Sequence, residues 1–374
     1  MKKVYLDNAS TTAIRPEVIE EMTKIMAEDY GNPSSTHSFG RNAKTILELS
    51  RKSIAKRLNC SAQEIIFTSG GTEADNWILR SAVEDLKVER IITSKIEHHA
   101  VLHSVLALQS DYGIQVDYVA INADGSIDLT NLSNLLSAEK KTLVSLMHVN
   151  NEIGTILEIE RVGEICRQYN ALFHSDTVQS LGKTAIDLQQ LKVDFIVASA
   201  HKFHGPKGIG FAFARKNTGL QPLIFGGEQE KGLRAGTEAV HQIAGMAKAL
   251  DISCEKLETE KTYISNLKNY LISQLEIHFP NFKIVGKKDG FYNIINIILP
   301  FTKDKTAMLL FNLDMKGIAV SRGSACQSGS VKPSHVLKEI ISEDDLLLPN
   351  LRISFSHLNT DDDIDWLIEC LQQI

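Results

Sequence analysis

The stretch DFIVASAHKFHGPKG, residues 194–208, decides how this chain is read. Its first six residues form a short apolar run of the kind that lies buried in a parallel sheet. The run then delivers Lys202, flanked by His201 and His204, into a Gly-Pro-Lys-Gly turn. Lysine ordinarily sits on solvated surfaces. A lysine carried by a buried strand into a turn suits chemistry at the strand's C-terminal end, where open α/β sheets bind their ligands.

The neighbouring sequence fits such a sheet. Between about residues 60 and 250, apolar runs alternate with helix-length amphipathic stretches. The runs are EIIFTS (64–69), RIITS (90–94), QVDYVA (115–120), TLVSLMH (142–148), ALFHSD (171–176) and GIGFAFA (208–214). This alternation predicts an α/β architecture with a mostly parallel sheet covered on both faces. After residue 250 the pattern changes. Residues 253–279 read as one long helix, and strands FKIVG, YNIINIIL and LRISFS mix with shorter helices. A final helix opens with Thr360 as N-cap and Asp361, Asp362 and Asp363 in its first turn. The expected organisation is a large domain over residues 15–250 and a small α+β domain over 251–374, completed by residues 1–14, with a cleft between them.

Composition narrows the functional classes. The 374 residues are 43% hydrophobic, enough for a sizeable core. A net charge of −6 argues against nucleic acid as the main ligand. No run approaches the roughly 18 apolar residues of a membrane span. Asp7 and Asn8 interrupt any signal-like core in MKKVYLDNAS, so a soluble cytoplasmic protein is expected. The five cysteines are widely spaced and lack a C-x-x-C pair, which argues against structural zinc and a disulfide framework. His99 and His103 stand four apart, but without a nearby cysteine or a zincin glutamate no metal is expected.

A lysine in this setting suits a Schiff base with a carbonyl cofactor, most commonly pyridoxal 5'-phosphate. Such a cofactor needs phosphate donors, an acid for its pyridine nitrogen and a flat packing partner. In SGGTEADN (69–76), Gly70 and Gly71 allow close backbone approach at a helix start, and Thr72 adds a hydroxyl. Asp176 ends the run ALFHSD and could pair with a pyridinium, with Gln179 reaching the phenolic oxygen; a helix N-cap is the competing reading of Asp176. One crossover between Asp176 and Lys202 would bring both to a single edge. His98 could stack on the ring and move protons, or be structural. Arg352 alternates with Leu351, Ile353 and Phe355, which places it opposite the apolar face, to grip a carboxylate or lie solvated on an edge strand. Cys326, in SRGSACQSGSVKPSH (321–335), has no apolar stripe to join, unlike Cys166 and Cys370. It reads as an accessible thiol, either nucleophilic or incidental.

Taken together, these motifs resemble the NifS/IscS-like cysteine desulfurases of the class V aminotransferase family of pyridoxal phosphate enzymes. The resemblance runs in order from YLDNASTTA (5–13) to LRISFSHLNT (351–360). It passes through NPSSTHSFGR, TSGGTEADN, EHHAVL, MHVNNEIGT, HSDTVQS, SAHKFHGPKGIG, GLRAGTE and GSAC. It implies the aspartate aminotransferase-like, fold type I architecture of pyridoxal phosphate-dependent transferases. By position it also implies that Lys202 binds the cofactor covalently, Asp176 and Gln179 hold its ring, and His98 stacks on it. Gly71, Thr72, Ser199 and His201 would hold the phosphate, with Asn151 beside ring and substrate. Thr237 would reach the phosphate of the other subunit of a homodimer. Arg352 would take the carboxylate of L-cysteine, and Cys326 would accept its sulfur and pass it to an iron–sulfur scaffold or a tRNA-thiolation protein. Ser175, Thr177 and Arg322 depart from the commonest family pattern. A selenocysteine lyase, another aminotransferase or decarboxylase of this fold, and a non-catalytic scaffold remain the alternatives.

Overall fold

The computed structural model describes residues 2–322 and 334–374. Its strands are β1 (Val4–Tyr5), β2 (Ile65–Thr68), β3 (Arg90–Thr93), β4 (Gln115–Tyr118), β5 (Thr142–Ser145) and β6 (Leu172–Asp176). Then follow β7 (Phe195–Ser199), β8 (Gly210–Ala214), β9 (Lys283–Val285), β10 (Ile294–Ile298), β11 (Ile318–Ala319) and β12 (Asn350–Ser354). Each apolar run expected between residues 64 and 214 is a strand, trimmed slightly at its ends.

These runs assemble into a seven-stranded sheet ordered β2-β8-β7-β6-β5-β3-β4. Neighbours pair in parallel except at β8, which runs antiparallel to both β2 and β7. The exception follows from chain length. Only residues 200–209 separate β7 from β8, too few for the crossover that a parallel return requires.

Side-chain alternation divides the strands between two cores. Phe67, Ile92, Val144, Phe173 and Ile196 face a core shared with the helices Ser38–Arg57, Ile159–Gln168 and Val240–Glu255. Ile66, Ile91, Leu143, Phe195 and Val197 face the opposite core, against the helices Gly71–Glu84 and His99–Tyr112. By the same parity His174, Asp176 and Ser199 point toward the second layer.

The last third of the chain builds a separate core. Strands β12-β10-β9 form an antiparallel sheet, and β1 pairs in parallel with β11. Val4 and Leu6 pack there with Leu267, Leu271, Ile297, Leu351, Ile353 and Leu367. One expectation needs correction. The single helix over 253–279 is two helices, Val240–Glu255 and Leu257–His278, separated at Lys256, where φ is −95° and ψ is 4°. The first covers the large sheet, and the second carries Ile264 and Leu267 into the C-terminal core. No helix among the described residues is long and apolar enough to cross a membrane.

The edge strand β2 shows how backbone groups without a strand partner are satisfied. Arg51 Nη1 donates to Ile65 O at 2.9 Å, and Phe67 N–H donates to Glu230 Oε2 at 2.8 Å. The two side chains also form a buried bidentate pair, with both distances at 2.7 Å. Removing one partner strands a buried charge and an edge amide. Glu230→Ala should therefore destabilise the fold by about 3–5 kcal/mol in chemical denaturation; a loss below about 1 kcal/mol, the scale of an exposed pair, would contradict this role.

Candidate active site

Asp176 and Ser199 are the last residues of β6 and β7, adjacent parallel strands, and so come to the same sheet edge. Beyond Ser199 the chain turns through Ala200–Lys202, which places Lys202 just past that edge. From the other side, β2 leads through Gly70 into the helix beginning at Gly71. Gly70 has φ +154°, and a Cβ on Gly71 would lie 2.7 Å from Val178 Cγ2. Both glycines therefore let the helix N-terminus approach the turn after Asp176. First-turn amides of such a helix lack intrahelical acceptors and favour an anion. Ser199 Oγ lies within 3.5 Å of a Cβ built on Gly70, and Thr72, at the second helical position, is exposed.

Lys202 is set for nucleophilic chemistry. Its Nζ donates to Ala9 O at 2.7 Å and to Ser10 O at 2.8 Å. Burial, reinforced by the positive charge of Arg352, pushes its pKa down to about 8, against the opposing pull of Asp176 and Asp7. Burial raises the pKa of Asp176, while His98 and Lys202 oppose the rise; its Oδ1 accepts the Val178 N–H at 2.9 Å. Asp176 thus makes the local backbone contact of a cap and also lies within electrostatic reach of Lys202. His98 caps its helix by accepting the Ala100 N–H at Nδ1, which places the proton of its neutral ring on Nε2. Desolvation lowers its pKa, and Asp176 opposes the shift.

Arg352 is not solvated, although β12 is an edge strand. It is 2% exposed. Nη2 donates to Asp7 Oδ1 at 2.7 Å and to Ser10 Oγ at 2.6 Å, and Nη1 donates to Asn151 O at 3.0 Å. The side chain of Asn150 is locked against Ile96 O and the amides of Glu152 and Ile153. Gln179 Nε2 donates to Ala9 O at 2.8 Å, and Lys183 Nζ reaches Gln179 Oε1 at 3.5 Å. His201 Nδ1 pairs with Thr11 Oγ1 at 3.1 Å, and burial pushes its pKa down to about 4. Thr237 is exposed, and no hydrogen bond among the described residues links it to this cluster.

Cys326 lies outside the described residues. The chain on either side of its segment ends at the cluster. Arg352 N–H donates to Ser321 O at 2.7 Å. On the far side, Ser334 Oγ donates to Glu152 Oε2 at 2.5 Å, and His335 Nε2 pairs with Glu97 O at 2.9 Å.

Two groups of residues were missed by sequence reasoning. The first is Asp7 to Thr12, whose side chains and carbonyls meet Lys202, Gln179, Arg352 and His201. Its only signal was a polar run in the motif YLDNASTTA. The second lies behind Asp176. His174 Nε2 is 3.3 Å from Asp75 Oδ1, and His174 Nδ1 pairs with Ser145 Oγ at 2.9 Å. Glu97, held by Ser94 at 2.7 Å, is pushed by burial to a pKa of about 8. Burial and the charges of Asp176 and Glu97 raise Asp75. Among the described residues, no set of three metal-ligating side chains is arranged to hold an ion.

The arrangement offers an amine of lowered basicity, an anion-receptive helix start and a buried carboxylate at one end of the sheet. Only the neutral amine attacks an aldehyde, so capture at Lys202 should strengthen as pH rises through about 8 and then level off, well below the ordinary lysine value of 10.5. The check is borohydride trapping of salicylaldehyde on cofactor-free protein, followed by peptide mass analysis across pH. A profile still climbing through 10 would contradict the environment described.

A family model, Aminotransferase class-V, matches residues 4–367. The chain is 41% identical over 376 aligned positions to "Cysteine desulfurase IscS" of Clostridium botulinum (strain Kyoto / Type A2), covering 100% of this chain and 94% of that protein. It is 39% identical to "Cysteine desulfurase IscS" of Dictyoglomus turgidum, again over 100% of this chain and 94% of that one. A solved "NIFS-LIKE PROTEIN" superposes with a TM-score of 0.92 at 36% identity, covering 100% of this chain and 99% of that chain. "SspA in complex with cysteine" superposes with a TM-score of 0.82 at 30% identity, covering 96% and 100%. With its fold, its strand-end cluster and these full-length likenesses, the chain belongs to the class V aminotransferase family.

Proposed function

We propose that this protein is a cysteine desulfurase: it removes sulfur from L-cysteine, releases L-alanine and carries the sulfur as a persulfide on Cys326, using pyridoxal 5'-phosphate. The observation that carries the reading is Lys202, its pKa lowered to about 8, beside the buried Asp176 at the end of two parallel strands.

The residues fit the cofactor. Lys202 is an aldehyde-reactive amine. The helix start at Gly71 and Thr72, with Ser199 and His201, offers donors for a phosphate, and Gly71 lets that helix start pack against Val178, where a Cβ would lie 2.7 Å from Cγ2. Asp176 is a buried carboxylate suited to a pyridinium partner. His98 and Gln179 stand for ring stacking and the ring oxygen, and Asn151 for ring and substrate. When bound, pyridoxal phosphate supplies the electron sink for the pair released at the substrate's Cα.

The chain's own residues divide the remaining work. Arg352 binds the substrate carboxylate. Lys202, whose neutral fraction grows as pH rises through about 8, takes the α-proton at Nζ, with Ala9 and Ser10 carbonyls orienting its N–H groups. His98 moves protons at the cleft. The Cys326 thiolate attacks the substrate sulfur; an S–S bond forms as the C–S bond breaks, and the C–S pair stays with the substrate carbon, which takes a proton to become the methyl group of alanine. Support for that approach comes from the flanks of the Cys326 segment, which end at Arg352 and at Glu97 and Glu152.

The same proposal covers assembly. Residues 15–250 form a cofactor domain, and residues 1–14 with 251–374 form a smaller one carrying the thiol. The chain works as a homodimer, in which the exposed Thr237 serves the partner's phosphate site. Phe225, 84% exposed, supplies apolar surface on a nearby loop. The four described cysteines are free, as suits the cytoplasm. The persulfide passes to an acceptor protein, either an iron–sulfur scaffold or a tRNA-thiolation protein.

Cys326→Ser should keep the bound cofactor's visible absorption yet lose alanine formation from L-cysteine by about a hundredfold or more, since it lacks the sulfur nucleophile. Alanine release assayed with and without reductant is the check, and wild-type turnover by this variant would overturn the reading.

A further inference from the structure

Ser10 touches both residues assigned to the substrate. Its Oγ accepts from Arg352 Nη2 at 2.6 Å, and its carbonyl accepts from Lys202 Nζ at 2.8 Å. Its N–H is occupied, donating to Asp7 O at 3.0 Å. Asp7 Oδ1, at 2.7 Å from the same Nη2, completes the set around the guanidinium.

The hydrogen inventory leaves two donors unspent. A serine hydroxyl can accept twice and donate once. Here the guanidinium fills an acceptor position, and no acceptor among the described residues takes the hydroxyl hydrogen. Arg352 Nε also lacks a hydrogen-bond partner and, unlike the half-buried Ser10, lies in a side chain only 2% exposed. An unspent donor in a side chain as buried as Arg352 is costly, so Nε points to a ligand that completes it, and the half-buried Ser10 hydroxyl stands open to the same ligand. Both donors belong to groups already in contact, beside the Lys202 amine. A carboxylate, acceptor-only with two oxygens, matches the pair.

Resting on the reading above, we propose that Ser10 is a second ligand of the substrate carboxylate, its O–H donating to one oxygen while Arg352 binds the other. The hydroxyl is then a recognition element for α-amino acids, separate from the carbonyl that orients Lys202. Ser10→Ala removes the first function and leaves the second, because the contact to Lys202 is made by the backbone.

The test titrates the holoenzyme with L-alanine and with ethylamine, which lacks the carboxylate, following the cofactor's visible band. Ser10→Ala should raise the Kd for L-alanine about tenfold, the value of one charge-assisted hydrogen bond. The Kd for ethylamine should stay within about twofold, with cofactor content unchanged. An unchanged L-alanine Kd would overturn the proposal, as would equal weakening of both ligands, which marks general damage to the site. A wild-type protein whose spectrum responds to neither amine, nor to L-cysteine, would remove the functional reading and the proposal together.

Discussion

The arrangement depends on the parallel pairing of β6 and β7. Because the two strands end side by side, a carboxylate at the tip of one and a lysine just past the tip of the other share a single edge. Burial then acts on both groups in the same sense: it penalises the charged forms, lowering the lysine and raising the aspartate. Lys202 is thereby an amine that loses its proton near neutrality. Neither β7 alone nor an exposed helix would impose that environment.

Around this edge, residues 7–10 and β12 meet. Ala9 O serves both Gln179 and Lys202, and Asp7 and Ser10 hold Arg352. Arg352 would otherwise be a buried cation without a counter-charge, a condition proteins avoid. Asp7 resolves it, so a residue just after β1 supplies the counter-charge for the arginine of the last strand. Behind Asp176, His174 and Ser145 of the sheet meet Asp75 of the helix Gly71–Glu84 in a second buried polar layer. Burial drives His174 down to about 3, so the layer holds a neutral imidazole at working pH.

What was legible from sequence followed from locality. The large sheet could be read because β5, β7 and their neighbours are continuous apolar runs, buried on both faces. Lys202, Asp176 and Gly71 could be placed because each lies immediately after such a run. The division at Lys256 was hidden, since SCEKLE contains neither glycine nor proline and its apolar spacing continues across the break. The period of two correctly set Arg352 off the apolar face, but its burial depends on partners near residue 10, which no local pattern reveals. Asp75, Glu97 and His174 looked like ordinary polar residues for the same reason: only the packed sheet brings them together. Cys326 stands out in the sequence by its Gly- and Ser-rich surroundings, and it lies outside the described residues.

A second lysine gives the central claim a sharp control. Lys183 is also buried, its pKa pushed down to about 7, and it touches Gln179. Low basicity alone would therefore not distinguish the two amines; position past β7 does. The decisive measurement is borohydride reduction of the protein as purified, followed by peptide mapping by mass. The account predicts a reduced phosphopyridoxyl group on Lys202 and none on Lys183; an unmodified Lys202, or the label on Lys183, would contradict it.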